Sequence, residues 1–159
     1  MLKFNTKGLL IPNTNIVSDI TELEEIFVNG IISYTRGDLF NKYISYSKAL
    51  KELCNNEELI QWIDGSFATK KPNPNDIDLV TFVEFSVVDE LGDRLADFKY
   101  PASKSTFGVD AYIIRVYPPA HKRYTPYQLD KAYWMDHFAK TRRNRIGNKL
   151  PKGFLEIIM

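Results

Sequence analysis

The stretch Gln61–Glu84, QWIDGSFATKKPNPNDIDLVTFVE, decides how this chain is read. It predicts a strand that ends at a Gly-Ser turn, a polar loop, and a second strand that opens with two acids. Asp76 and Asp78 stand at i and i+2. Alternate residues of a strand face the same way, so both carboxylates project from one sheet edge into one small volume. Like charges at that separation disfavour each other's ionisation. A divalent cation relieves them, and Mg²⁺ takes one or two carboxylates together with substrate phosphates. Gly65-Ser66 lies at the exit of the preceding strand. Glycine lets the backbone approach a ligand, and free N–H groups with a hydroxyl suit phosphate oxygens.

Outward from that stretch, the chain has the size of one domain. Its 159 residues suffice to bury a core, and the net charge of +1 makes no global case for nucleic acid. Charge is unevenly spread, however. Asp19, Glu22, Glu24 and Glu25 cluster early, whereas Lys140, Arg142, Arg143, Arg145, Lys149 and Lys152 crowd a segment with no acid between Asp136 and Glu156. Such a basic run is either a solvated face or a contact for RNA or triphosphate. The aromatic content of 13% is concentrated between Tyr112 and Phe138, as core, rim or base-stacking surface. Cys54 is alone and forms no internal disulfide. No run reaches membrane-spanning length, so the expectation is a soluble cytoplasmic protein without a membrane partner. His121 and His137 lack partners at zinc-ligand spacing.

The elements follow from periodicity and breakers. Residues 1–20 read as an irregular arm, and Thr21 with Glu24 as a capping box for a short helix ending near Gly30. A longer helix spans Arg36–Cys54, with Leu39, Tyr43, Tyr46, Leu50 and Leu53 on one stripe. Strands are expected at 59–63, 77–85, 109–117 and 154–158, and a helical turn at 66–69. Helices are expected at 88–98 and from Pro126 to about Thr141. Lys99–Gly108 and Arg142–Lys152 read as loops. The chain then divides into an arm with helices (1–58), a core (59–117) and a tail of helix, basic loop and strand (118–159).

Ile63-Asp64-Gly65-Ser66, nine intervening residues and Asp76-Ile77-Asp78-Leu79 resemble the signature of the DNA polymerase beta-like nucleotidyltransferases. The spacer is at the short end of that pattern. The family's third carboxylate, on a later strand, matches Asp110, which is followed by Ala111-Tyr112-Ile113-Ile114. The whole chain, Lys152-Gly153 included, also looks like a group of small prokaryotic proteins with this fold. The resemblance implies an α+β fold, a mixed sheet of four to five strands with helices packed mainly on one face. It implies two Mg²⁺ ions on Asp76, Asp78 and Asp110, which would carry the catalysis. It implies transfer of a nucleoside monophosphate from an NTP to a hydroxyl of RNA, tRNA or protein. Gly65 and Ser66 would hold the triphosphate, and Lys70 or Lys71 would neutralise it. Arg142, Arg143 and Arg145 are candidate acceptor or phosphate contacts. A toxin–antitoxin or phage-defence setting, with a cognate partner, belongs to the same resemblance. Small toxin–antitoxin members read Gly-Ser-x-Ala-Arg-Gly; here Thr69-Lys70 replaces Arg-Gly.

Plainer readings stand beside these. Asn-Pro-Asn-Asp is ordinary turn chemistry, and Asp110 can cap a strand. A non-catalytic antitoxin or regulatory subunit would keep the fold without the reaction. Clustered carboxylates also serve metal phosphoesterases.

Overall fold

The computed structural model describes residues 1–159. Five strands form a mixed sheet in the order β3-β7-β4-β5-β6: β3 (Asn15–Ser18), β4 (Ile60–Asp64), β5 (Asp78–Glu84), β6 (Asp110–Val116) and β7 (Phe154–Ile158). β4 runs antiparallel to both β5 and β7, whereas β5–β6 and β3–β7 are parallel. The expected α+β architecture is therefore the observed one.

Strict alternation along the central strands divides the core into two layers. Ile63, Leu79, Val83, Ala111, Leu155 and Ile157 belong to the larger cluster. That side carries α1 (Ile20–Leu23), α2 (Arg36–Leu53), α3 (Phe85–Leu91) and α4 (Ala102–Phe107). Trp62, Val80, Phe82, Ile114 and Phe154 face the other way, under α5 (Tyr124–Phe138). α2 is pinned to the sheet by a buried polar network. Tyr43 and Ser47 donate to Gln61 Oε1 at 2.9 and 3.0 Å, and Gln61 Nε2 donates to Thr81 Oγ1 at 3.1 Å. Each polar atom so satisfied avoids the penalty of an unmade buried hydrogen bond.

Several local expectations are corrected. Residues 1–20 are ordered: β1 (Lys3–Phe4) and β2 (Leu10–Ile11) form a hairpin, and β3 is an edge strand of the sheet. The first helix is capped by Asp19, whose carboxylate accepts from the Glu22 N–H at 2.8 Å, rather than by Thr21. It continues as a π-helix over Glu24–Asn29. The expected helix 88–98 is α3 followed by a 3-10 segment, Gly92–Phe98, because Gly92 sits at positive φ. Residues 66–69 make a turn, not helix, joined to the hairpin through a Leu9–Thr69 bridge. Lys99–Gly108 is not a plain loop, since it contains α4, closed by Gly108 at φ 77°. Pro101 starts this helix rather than breaking one, the position where its missing N–H does no harm. No helix is long and apolar enough to cross a membrane.

Candidate active site

Strand register creates the site. Asp64, the last residue of β4, pairs across the sheet with Asp78, the first of β5, which in turn pairs with Asp110, the first of β6. Three aspartates thus form a row across three adjacent strands. All three share the face of Trp62, Val80 and Tyr112, and Asp76 lies two residues before the row. Directly opposed like charges on a sheet repel. The chain answers with two lysines. Lys152, 4% exposed, forms a buried ion pair and hydrogen bond with Asp64. Lys104, on α4, stands 3.0 Å from Asp110 Oδ1 and 3.2 Å from Oδ2, and 3.9 Å from Asp76. Only the Oδ2 contact is aligned as a hydrogen bond, so Asp110 Oδ1 is buried without a donor.

Asp78, in the centre, has neither lysine. Burial first, and then the charges of Asp76, Asp64 and Asp110, push its pKa up from 3.8 to about 6, with Arg142 opposing. Burial likewise raises Asp64, against the pull of Lys152. The hydrogen bond to Asp110 raises Lys104.

Gly65 is fixed by the same crowding. Its φ is +76°, and a Cβ there would overlap Asp78 Oδ2. The turn that follows, residues 66–71, is organised from inside by Arg36, fully buried at the start of α2. Its guanidinium donates to the carbonyls of Phe27 and Phe67 at 3.1 and 2.8 Å, and of Thr69 and Lys71 at 2.6 Å each. It also reaches the Ser66 carbonyl at 3.4 Å. Turning those carbonyls inward leaves the Gly65-Ser66 side of the loop on the cleft. No acid accompanies Arg36 in these bonds, and burial lowers its pKa to about 10.

A cleft of about 560 Å³ opens beside the row. Gly65, Ser66, Asp64, Asp76 and Asp78 are part of its lining. Lys71, Lys140, Arg142, Arg143, Lys149 and Lys152 supply the cations, and Phe138 is the sole hydrophobic wall residue. Asp110 sits beyond the lining, at the far end of the row. Two expected residues are elsewhere. Lys70 turns away and lies over the Phe4 ring at 4.4 Å, leaving Lys71 on the cleft. Arg145 is exposed in the turn beyond the wall, and the cleft takes Arg142 and Arg143 only.

The donor set suits Mg²⁺, a hard cation that takes carboxylate oxygens. Asp78, which has no lysine, and Asp110 Oδ1, which accepts no hydrogen bond although Lys104 stands 3.0 Å away, are the oxygens that could serve it. As the side chains stand, no group of three or more is arranged around an ion position. The outer acids are turned to their lysines, and Lys104 occupies the side of the row where Asp76 and Asp110 converge. The residues therefore fit a cation in chemical type, with Lys104 as the group that has to yield.

Sequence reasoning missed Lys104, Lys152 and Arg36 as parts of the site, and treated Asp64 only as part of a motif. The pair Asp64–Lys152 spans 88 residues, and no local pattern announces it.

Residues 2–158 match the family described as "Family of unknown function (DUF6932)", and the chain belongs to that family. No curated protein and no solved structure gives a match.

Proposed function

We propose that the protein is a metal-dependent nucleotidyltransferase, moving a nucleoside monophosphate from an NTP to an acceptor hydroxyl. The observation that supports this reading is the row Asp64–Asp78–Asp110 beside a Gly-Ser turn, with Asp64 and Asp78 in a cleft that they share with six cations. Acids and cations have separate tasks in such a reaction, which depends mainly on positioning and electrostatics. Asp76, Asp78 and Asp110 would hold Mg²⁺, which would neutralise charge on the attacking and leaving oxygens. Ser66 and the adjacent N–H groups would bind phosphate oxygens. Lys71, Arg142 and Arg143 would hold the triphosphate tail. The acceptor oxygen bonds to the α-phosphorus as the α–β bridging P–O bond breaks. Pyrophosphate leaves with that electron pair, and the hydroxyl proton passes to a carboxylate of the row, Asp110 being the one whose Oδ1 accepts no hydrogen bond.

Incubation with each α-labelled NTP, Mg²⁺ and a cell extract tests the proposal. Label should move to a macromolecule, with pyrophosphate released, and Asp78→Ala should abolish transfer. Failure of every NTP to bind with Mg²⁺ in calorimetry would overturn it.

One observation favours a second reading. Lys104 already neutralises part of the acid row, as a subunit kept for binding a cognate partner would need. In that case Asp76→Ala/Asp78→Ala leaves the biological effect unchanged, whereas a transferase loses it.

A further inference from the structure

The acid row does not end at a bare surface. Two residues beyond Asp110, on the same face of the edge strand β6, lies Tyr112. From it runs a continuous series of rings. Tyr100 stacks on Tyr112 at 5.7 Å between centroids and 27° between planes. Trp134 lies 4.6 Å from Tyr112. Tyr133 meets Trp134 edge-on at 5.5 Å and lies nearly parallel to His137, 5.8 Å away at 9°. His137 in turn lines the cationic cleft, so the series starts beside the Asp110 end of the acid row and ends at the cleft lining.

Core packing accounts for only part of this series. Tyr112 and Trp134 are half-buried against the smaller core layer, but Tyr100 and Tyr133 are 47% and 62% exposed. Tyr100 is held at the margin by its backbone N–H, which donates to the Ala111 carbonyl at 2.7 Å. Its backbone is thereby fixed at the sheet edge, while its ring is still presented to solvent. A protein partner would be met by a largely apolar, uncharged centre. Here the rings instead adjoin a cleft with one hydrophobic wall residue and six cations against three carboxylates. A charged groove that follows a phosphate backbone, with rings on which successive bases stack, is the form taken by single-strand binding sites.

We infer that the Tyr100–Tyr112–Trp134–Tyr133 surface is a stacking platform for a single-stranded nucleic acid, which approaches the acid row along it and sets its phosphates against Arg142, Arg143 and Lys149. This deepens the proposed transferase reading, because it names the acceptor as an unpaired nucleic-acid strand with a terminal hydroxyl. A duplex hides the base faces that the rings require, so it is a poor ligand.

Binding is measured directly, without NTP or metal, so that the result does not depend on catalysis. A fluorescently labelled single-stranded oligoribonucleotide is titrated with the full chain at low and moderate salt. The same sequence is tested as DNA and as a duplex. Single strands should bind with an affinity that falls steeply with salt, and the duplex much more weakly. Equal affinity for DNA and RNA supports stacking alone, and preference for RNA supports stacking with a contact to the 2′-hydroxyl. Tyr100→Ala and Tyr133→Ala, both at exposed positions, should each weaken binding about tenfold or more. Trp134 fluorescence should be quenched on binding, and Trp134→Phe should remove the quench while buried Trp62 keeps its emission. No binding to any oligonucleotide at low salt, duplex affinity equal to that for single strands, or unchanged affinity in the Tyr100→Ala/Tyr133→Ala double variant would each overturn the inference. If the strand binds but no NTP does, the platform stands and the transferase reading falls.

Discussion

The two lysines that flank the acid row are built in opposite ways. Lys152 is buried on Asp64, and its own backbone N–H donates to the Ala139 carbonyl at the end of α5. Lys104 reaches Asp110 from a short helix, with its side chain 52% exposed. One ammonium is part of the interior, and the other is half-exposed at the margin of the row. The row therefore has a locked end, which ties β4 to the start of β7, and an open end, where the charge partner is within reach of solvent. The difference follows from burial. A desolvated pair is expensive to break on one side only, whereas an exposed pair is screened and worth little.

The largest effect is expected at the locked end. Lys152→Met leaves Asp64 buried and alone, and should lower unfolding free energy in urea by about 3–5 kcal/mol. Adding Asp64→Leu should restore most of that loss, since a buried pair exchanged for hydrophobic residues is often neutral. If the single substitution is silent, Lys152 is not locked and the contrast fails.

The centre of the row comes next. Asp78 titrates near 6 in the folded chain against an ordinary 3.8. A raised folded pKa gives stability that is full below the unfolded value and is lost as pH climbs through the folded one. Asp78 therefore destabilises the metal-free fold progressively between about pH 4 and pH 6. Asp78→Asn should gain about 3 kcal/mol at pH 7 and almost nothing at pH 3. Urea midpoints of both proteins across that range would show the difference opening with pH. A constant difference would mean that the ionisation of Asp78, disfavoured by burial and by its neighbours, is not its source.

The smallest effect on stability belongs to the open end. Lys104→Ala should cost less than about 1 kcal/mol. The same substitution should tighten Mg²⁺ binding several-fold by calorimetry, because no ammonium has to leave. Weaker Mg²⁺ binding in Lys104→Ala would make both lysines structural.

The acids of the site were legible where the pattern is local. Asp78 follows from its place at the start of one strand and Asp110 from its position at the start of the next, whereas Asp76, expected on the same strand as Asp78, lies in the loop just before it. β7 was legible from its apolar run. What escaped was whatever depends on an encounter between distant segments. Lys104 was hidden because Pro101 and Gly108 made its helix look like a loop, and Lys152 because it closed a run of other cations. Arg36 was read as one more residue at the start of a helix, yet carbonyls some 30 residues away make it the scaffold of the Ser66–Lys71 turn. Lys70 and Lys71 are indistinguishable in sequence, and only the β1–β2 hairpin decides which of them Phe4 removes from the cleft.

The place of β7 between β3 and β4 has a consequence for the order of assembly. During synthesis the chain emits β3, β4, β5 and β6 before the strand that joins the first of them to the rest. Until residues 152–158 emerge, β3 has no neighbour in the sheet and Asp64 has no counter-charge. A nascent chain cannot hold a finished site, so a product stopped short of Lys152 has the acids of the row without the geometry that would make them effective.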